Sequence, residues 1–204
     1  MSNQRPVTRN QIKKQGLIFV ISGPSGSGKT TLLKKLLKTK GLKDKLVKSV
    51  SLTTRPKRAG EKNGKDYLFV NPKQFKAQQK AGKILEWTRY LGYYYATSKD
   101  FIRSRLGEGT NILLCLDVNG ARKLKQLYPK RAVTIFILPP SLGALRDRIK
   151  KRGCKTKQAE IILRMHLAKK ELLAARSYDY CVANKDFGQA VKKLKKIVLT
   201  SLSV

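Results

Sequence analysis

Gly23–Thr30 (GPSGSGKT) separates an apolar run from a leucine-rich stretch, and this order decides the fold. The run before it, Leu17–Ile21 (LIFVI), is typical of a strand buried on both faces of a parallel sheet. The stretch after it predicts a helix that ends near Gly41. The apolar side of that helix would be formed by Leu32, Leu33, Leu36 and Leu37.

The same segment matches the pattern GxxxxGK[ST] in full, in the strand–loop–helix context that this pattern requires. Its glycines allow consecutive backbone N–H groups to point at one anion, and the helix N-terminus adds the positive end of its dipole. Lys29 would reach the β- and γ-phosphates of a nucleoside triphosphate, and the Thr30 hydroxyl is a hard oxygen ligand for Mg²⁺. The motif therefore predicts a phosphate-binding loop, or P-loop.

Two further apolar runs extend this pattern along the chain. Ile112–Leu116 (ILLCL) and Val133–Leu138 (VTIFIL) are candidates for buried strands. Helical stretches follow them over Asn119–Leu127 and over Ser141–Lys151. Strands that alternate with helices predict an α/β fold with a parallel sheet.

The middle of the chain, residues 49–97, has a different pattern. Short β-rich stretches occur at Tyr67–Val70 and across Ile84–Thr97, with a hairpin turn at Gly92. A short helix is predicted near Pro72–Ala81. We expect a small antiparallel flap inserted into the parallel domain.

At 204 residues the chain has the length of one compact domain. Its 46 Lys and Arg against 12 Asp and Glu give a formal net charge of +34. Such a charge favours polyanions as partners, although a solvated lysine-rich surface gives the same number. Residues 1–15 predict a flexible basic arm, and no run approaches the ~18 apolar residues of a membrane span. The cysteines, which have no CxxC spacing, indicate reduced thiols in a cytoplasmic protein; they are Cys115, Cys154 and Cys181.

A second candidate site is the loop within Ser49–Tyr67, which is punctuated by Pro and Gly. Arg55 and Arg58 can together clamp one phosphate dianion through charge-assisted bonds. Tyr67 offers a phenol donor to the same group. Taken alone, the loop is equally well interpreted as a solvated basic segment.

Together these segments resemble the guanylate kinase family. The resemblance rests on GPSGSGKTT, the spacing TTRxxRxGE, NGxDYxF, ILEW, GxYY and LDVxG, and it extends from about Leu17 to the C-terminal helix. It implies one α/β domain over residues 16–204. Its parts would be a P-loop core (16–48, 98–140 and 178–204), an inserted GMP-binding flap (49–97) and a helical lid (141–177).

The resemblance also implies roles for individual residues. The GMP phosphate would be held by Arg55, Arg58, Tyr67 and Tyr95. The guanine edge would be read by Ser51, Glu86 and Thr97, with Glu61 and Asp117 near them. ATP would contact Gly23, Pro24, Ser25, Gly26, Ser27, Gly28, Lys29, Thr30, Thr31, Arg152 and Asn184, the last at the adenine. The catalytic set would be Lys29, Arg55, Arg58, Arg148 and Arg164, and Mg²⁺ would be held at Thr30 and Asp117.

This chain departs from the family pattern at two places. Cys115 stands where the family usually carries a carboxylate linked to the metal, which leaves Asp117 as the nearby acid. The lid segment 153–159 (GCKTKQA) is basic where the family is commonly acidic.

The expected activity is transfer of a phosphoryl group from ATP to GMP. Three alternatives stay open. The chain could be a kinase for another nucleoside monophosphate, a non-catalytic module that binds protein partners, or a nucleic-acid-associated protein suggested by its charge. The first is disfavoured by Glu86 with Ser51 and Thr97, and the second by the intact loop lysine. The oligomeric state is not predicted.

Overall fold

The computed structural model describes residues 15–151 and 158–203. Its centre is a five-stranded sheet with the order β2-β7-β1-β8-β9, in which every neighbouring pair is parallel. The parallel α/β fold expected from the sequence is therefore confirmed. The strands are β1 (Ile18–Ser22), β2 (Leu46–Lys48), β7 (Asn111–Cys115), β8 (Ala132–Leu138) and β9 (Tyr180–Ala183).

Helices cover both faces of this sheet, because alternate residues of its central strand point to opposite sides. Phe19 and Ile21 pack in one apolar cluster with α1 and α7, whereas Ile18 and Val20 pack in a second with α3 and α4. All five residues of β1 are buried. The helices are α1 (Lys29–Leu36), α3 (Lys99–Gly107), α4 (Val118–Leu127) and α7 (Phe187–Leu202).

Helix α1 is shorter than the sequence predicts. It ends at Leu36 rather than near Gly41, because the next amides bond to carbonyls three residues back and tighten the last turn. These bonds run from Lys38 N–H to Lys35 C=O and from Thr39 N–H to Leu36 C=O.

The flap is a second sheet of four strands with the order β4-β3-β6-β5. The pairs β3–β6 and β5–β6 are antiparallel as expected, but β3 and β4 run parallel, so the sheet is mixed. Helix α2 (Pro72–Lys80) begins with a capping box at Asn71 and packs Phe75 against the sheet. The strands are β3 (Leu52–Thr53), β4 (Leu68–Phe69), β5 (Ile84–Tyr90) and β6 (Tyr93–Ser98).

Two helices, α5 (Leu142–Lys151) and α6 (Gln158–Leu173), form a small apolar cluster of their own, and a 3₁₀ turn over Ala174–Ser177 leads back to the core. We call α5 and α6 the lid helices. Residues 1–14 of the expected arm lie outside the described residues, as do Arg152 and Cys154. The bounds of core, flap and lid stay a prediction. In the described part of the chain, no helix is long and apolar enough to cross a membrane.

Candidate active site

The segment 23–28 turns sharply between β1 and α1, and its glycines make that turn possible. Gly23, Gly26 and Gly28 have φ angles of 135°, 88° and 96°, which side-chain-bearing residues rarely adopt. A Cβ at Gly23 would also stand 2.5 Å from the Ile137 carbonyl oxygen on β8. No side chain caps the N-terminus of α1, so its N–H groups are directed to the anion site.

Lys29 lies across this loop. Its ammonium group donates to the carbonyl oxygens of Gly23 and of Pro24, the second at 2.9 Å. The cation is thereby held at the mouth of the anion site, and it lines the adjoining cavity. The contact with terminal phosphates that the motif predicts for Lys29 stays a prediction.

The loop is braced from the far edge of the sheet by Asn184, which follows β9. Its buried amide nitrogen donates to the Ser27 carbonyl oxygen at 2.7 Å and would stand 2.3 Å from a Cβ at Gly28. Sequence analysis gave Asn184 an adenine contact. It does line the cavity, but the contact within the protein is with the loop backbone.

Two lid arginines converge on the same loop. Arg164 of α6 donates to the Ser25 hydroxyl at 3.0 Å and is paired with Glu160 at 2.6 Å. Arg148 of α5 approaches the Gly26 carbonyl oxygen at 3.4 Å. Both cations therefore lie against the loop that joins β1 to α1.

One cavity of about 1060 Å³ joins the loop, the lid helices and the flap. Pro24, Ser27, Glu61 and Thr97 do not line it. The predicted site residues that do are Gly23, Ser25, Gly26, Gly28, Lys29, Thr30, Thr31, Ser51, Arg55, Arg58, Tyr67, Glu86, Tyr95, Asp117, Arg148, Arg164 and Asn184.

The flap's arginine loop is organised by Glu61. Its carboxylate accepts two bonds from the Arg55 guanidinium, at 2.8 and 3.0 Å, and one from the backbone N–H of Arg58 at 2.8 Å. Burial opposes ionisation of Glu61, but these bonds hold its pKa below the usual value. Expected near the base, Glu61 instead lies beside the arginines.

Arg55 also contacts aromatic rings of the flap. Its guanidinium lies 5.5 Å from the centre of the Tyr67 ring and 5.7 Å from that of Phe69. The Tyr67 and Tyr95 rings meet edge to face, with centroids 6.0 Å apart. Arg55 is only 7 % exposed, so a phosphate bound here would meet an oriented cation.

At the opposite side of the flap, Glu86 of β5 faces Thr97 of β6. The Thr97 hydroxyl donates to Glu86 Oε1 at 2.5 Å, and both side chains are buried. Burial raises the pKa of Glu86 to about 7; the Thr97 bond lowers it and the Asp117 charge adds to the rise. A buried carboxylate that lines the cavity has the right chemistry to accept hydrogen bonds from a ligand.

The predicted metal ligands fit a magnesium ion by their chemistry. Thr30 and Asp117 offer a hydroxyl and a carboxylate, both hard oxygen donors, on one cavity. Asp117 uses one oxygen to cap α4, accepting from Gly120 N–H at 2.8 Å. The described residues contain no group of three or more His, Cys, Asp or Glu placed to hold a metal.

Glu171 of α6 is a cavity residue that was not predicted from the sequence. Its Oε2 is buried with no hydrogen-bond partner among the described residues, and the side chain lines the cavity. Burial raises its pKa to about 7, while Lys29 lowers it and Asp117 raises it. One signal was available: Glu171 lies two turns after Arg164 and so on the same face of the helix.

A parallel sheet that carries a P-loop, with arginines and a carboxylate facing it across one cavity, defines a P-loop phosphotransferase. A model of the guanylate kinase family matches residues 15–201. The chain belongs to the guanylate kinase family. The resemblance seen in the motifs and the expected enzyme class, a kinase, are thereby confirmed.

Named relatives support this assignment. The guanylate kinase of Caldanaerobacter subterraneus subsp. tengcongensis is 46 % identical over 189 residues, covering 92 % of this chain and 89 % of that protein. The guanylate kinase of Thermotoga maritima is 42 % identical, covering 90 % and 86 %. The crystal structure of guanylate kinase from Anaplasma phagocytophilum superposes with a TM-score of 0.77 at 31 % identity, covering 93 % of this chain and 87 % of that one.

Proposed function

We propose that this protein transfers the γ-phosphoryl group of ATP to GMP, giving ADP and GDP. The observation that carries the proposal is the single cavity in which Lys29 of the P-loop faces Arg55 and Glu86 of the flap. Such a cavity holds a phosphate donor at one end and an acceptor with its base at the other.

At the donor end, the loop amides and Lys29 would hold the β- and γ-phosphates of ATP. Arg148 and Arg164 would stabilise charge on the phosphoryl group as it moves, since preorganised cations cost no rearrangement at that moment. Thr30 and Asp117 would hold Mg²⁺, which when bound neutralises charge on the phosphate oxygens. Asn184 would keep the loop backbone in shape.

At the acceptor end, Arg55 and Arg58 would clamp the GMP phosphate, with Tyr67 and Tyr95 as further donors. The phosphate oxygen is itself the nucleophile, so no strong general base is required. The contribution of these side chains is alignment of the attacking oxygen with the γ-phosphorus.

The base would be selected by Glu86, Thr97 and Ser51. An ionised Glu86 can accept from the guanine N1–H and 2-amino groups together, and the Ser51 hydroxyl can donate to O6. Adenine presents neither the paired donors nor that acceptor, so it would leave buried polar groups unpaired. Thr97 would act here by holding Glu86 Oε1.

The proposed substrates are ATP and GMP, with Mg²⁺ as the cofactor. We propose that the reaction takes place in the cytoplasm, because the three cysteines lack disulfide or zinc-site spacing and so indicate reduced thiols. A nucleic-acid partner is not favoured, because the positive charge alone suggests it.

A coupled assay of nucleoside diphosphate formation tests the proposal. The acceptors are GMP, AMP, UMP and dTMP at saturating MgATP. We expect turnover with GMP to exceed that with each of the others by at least a hundredfold. Equal or higher turnover with another acceptor, or none with GMP, overturns the assignment.

A further inference from the structure

Gly120 lies directly beneath the carboxylate of Glu86. It occupies the third position of α4, and a Cβ built on it would stand 2.8 Å from Glu86 Oε2 and 3.4 Å from the Glu86 carboxyl carbon. Real Cβ atoms do not approach a carboxylate oxygen so closely. A side chain at position 120 would therefore push Glu86 out of its place.

Backbone conformation does not require a glycine here. Gly120 is absent from the glycines with positive φ, and it lies within a regular helix, where alanine is the better residue. Its N–H is also used normally, donating to the capping Asp117 at 2.8 Å. The remaining reason for a glycine is the space that it leaves.

Glu86 cannot avoid such a side chain without losing its own orientation. The Thr97 hydroxyl holds Oε1 at 2.5 Å, and the residue is only 5 % exposed. Moving Oε2 away from position 120 would rotate the carboxylate about the held oxygen. The plane of the carboxylate would then change relative to the cavity.

We propose that Gly120 is a specificity-determining position, which sets the plane of the Glu86 carboxylate so that both of its oxygens can serve guanine. This inference rests on the proposed function. Gly120 acts through Glu86 and is a positioning residue. Because Gly120 has no side chain, it leaves room for the Glu86 carboxylate where α4 packs against β5 of the flap.

The test is Gly120→Ala, with Gly107→Ala as the matched control. Gly107 is a helical glycine in α3 with no atom within 4 Å of an added Cβ, and it does not line the cavity. For Gly120→Ala we expect the KM for GMP to rise at least tenfold, while the KM for ATP stays within twofold. For Gly107→Ala we expect both KM values within twofold of the unmutated protein.

A base analogue separates a lost guanine contact from general damage. Inosine monophosphate keeps N1–H and O6 but lacks the 2-amino group. Rotating the carboxylate removes one of its two guanine contacts. Loss of the 2-amino contact would shrink the preference for GMP over inosine monophosphate at least threefold, whereas loss of the N1–H contact would lower kcat/KM for both nucleotides at least threefold. An unchanged KM for GMP, or a variant in which neither of these changes is seen, overturns the proposal.

A double-variant cycle tests whether Gly120 acts through Glu86 alone. In a Glu86→Ala background the obstructed oxygen is gone, so adding Gly120→Ala should change kcat/KM for GMP by less than twofold. If Gly120→Ala alone lowers the melting temperature, the double variant should recover it. The proposal is contradicted if Gly120→Ala lowers kcat/KM for GMP as much in the Glu86→Ala background as it does in the unmutated protein.

The same measurements distinguish this inference from the proposed function. If the unmutated protein fails to phosphorylate GMP, the proposed function falls and the inference with it. If that protein is active and Gly120→Ala is as selective and efficient, only the inference falls.

Discussion

Arg55 and Glu61 form the most enclosed ion pair of the flap, joined by two bonds of 2.8 and 3.0 Å with side chains only 8 % and 19 % exposed. An ion pair of the same length on α3, Arg105–Glu108, has side chains 43 % and 48 % exposed. Enclosure decides what such a pair contributes, because water screens the exposed one.

Glu61→Gln should therefore weaken GMP binding without touching ATP. The amide keeps the shape but leaves Arg55 with one acceptor and no charge partner, so the KM for GMP should rise about tenfold, near the value of one charge-assisted bond. The KM for ATP should stay within twofold. Steady-state kinetics check this, with Glu108→Gln as the control. An equal effect of the two variants contradicts the argument.

Glu86→Gln should lower kcat/KM for GMP by roughly ten- to a hundredfold. The amide offers one acceptor and one donor to the guanine N1–H and 2-amino groups. Its NH₂ group would therefore face a guanine N–H, and two hydrogen-bond donors would oppose each other. The KM for ATP should stay within twofold, since the P-loop lies at the other end of the cavity. The melting temperature at pH 5, where Glu86 is protonated, should be unchanged. Kinetics with GMP varied at saturating ATP, beside a melting curve, give the answer. If the variant keeps the unmutated protein's kcat/KM for GMP, Glu86 does not bind the guanine base and the prediction is wrong.

Lys29→Ala should reduce kcat by about 10²–10³, the scale for one preorganised electrostatic group. The change removes the cation that we propose to face the terminal phosphates, and also its bonds to the loop carbonyls of Gly23 and Pro24. Lys35→Ala, on the exposed side of the same helix, is the control and should keep full turnover. Near-native turnover of folded Lys29→Ala would contradict the P-loop assignment.

Asn184→Ala should raise the KM for ATP about five- to tenfold, because the Ser27 carbonyl loses a buried donor. Inorganic tripolyphosphate, which has no base, tells a loop brace from an adenine contact. If Asn184 acts by holding the loop backbone, the inhibition constant of tripolyphosphate should rise by the same factor as the KM for ATP. If only ATP weakens and tripolyphosphate does not, Asn184 acts on the adenine.

The free energy of unfolding of the ligand-free protein should fall between pH 5 and 8. Glu86 and Glu171 have pKa values near 7 in the folded protein against an ordinary 4.5, so the folded state binds more protons than the unfolded chain in that window. For Glu86 the loss is on the order of 2 kcal/mol.

Urea unfolding across this pH range measures the slope, and Glu86→Gln should make it shallower. Carboxyls with lowered pKa, such as Asp179, change stability only below about pH 4.5 and leave this window unaffected. Stability that rises from pH 5 to 8 would contradict the prediction.

The sequence predicts correctly those parts of the fold that are specified by patterns within short, contiguous segments. The loop 23–30 and the apolar strands beside it specify the parallel core without reference to distant residues. The parallel pairing of β3 with β4 had no such signal, because strand direction within the flap depends on how the loop between them closes.

The site follows the same division. Local residue patterns predicted Lys29 and Arg55, and the family resemblance predicted Glu86; all three side chains line the cavity. The partner of Asn184 and the burial of Glu171 are set by contacts between segments far apart in the chain. The space required at Gly120 of α4 likewise depends on Glu86, which lies on β5 of the flap.

The bond between Ser27 and Asn184 also orders events during synthesis of the chain. The loop leaves the ribosome early, but its brace follows 157 positions later, which at typical elongation rates is ~8–30 s. Ile137 on β8, which lies against Gly23, is synthesised earlier, so the Asn184 bond is the later of the two contacts to form. Under the proposed function, ATP would then bind tightly only after Asn184 has joined the fold, and it would stabilise the finished protein by mass action. Nucleotide binding would thereby stabilise only those chains in which the sheet is complete from β1 to β9.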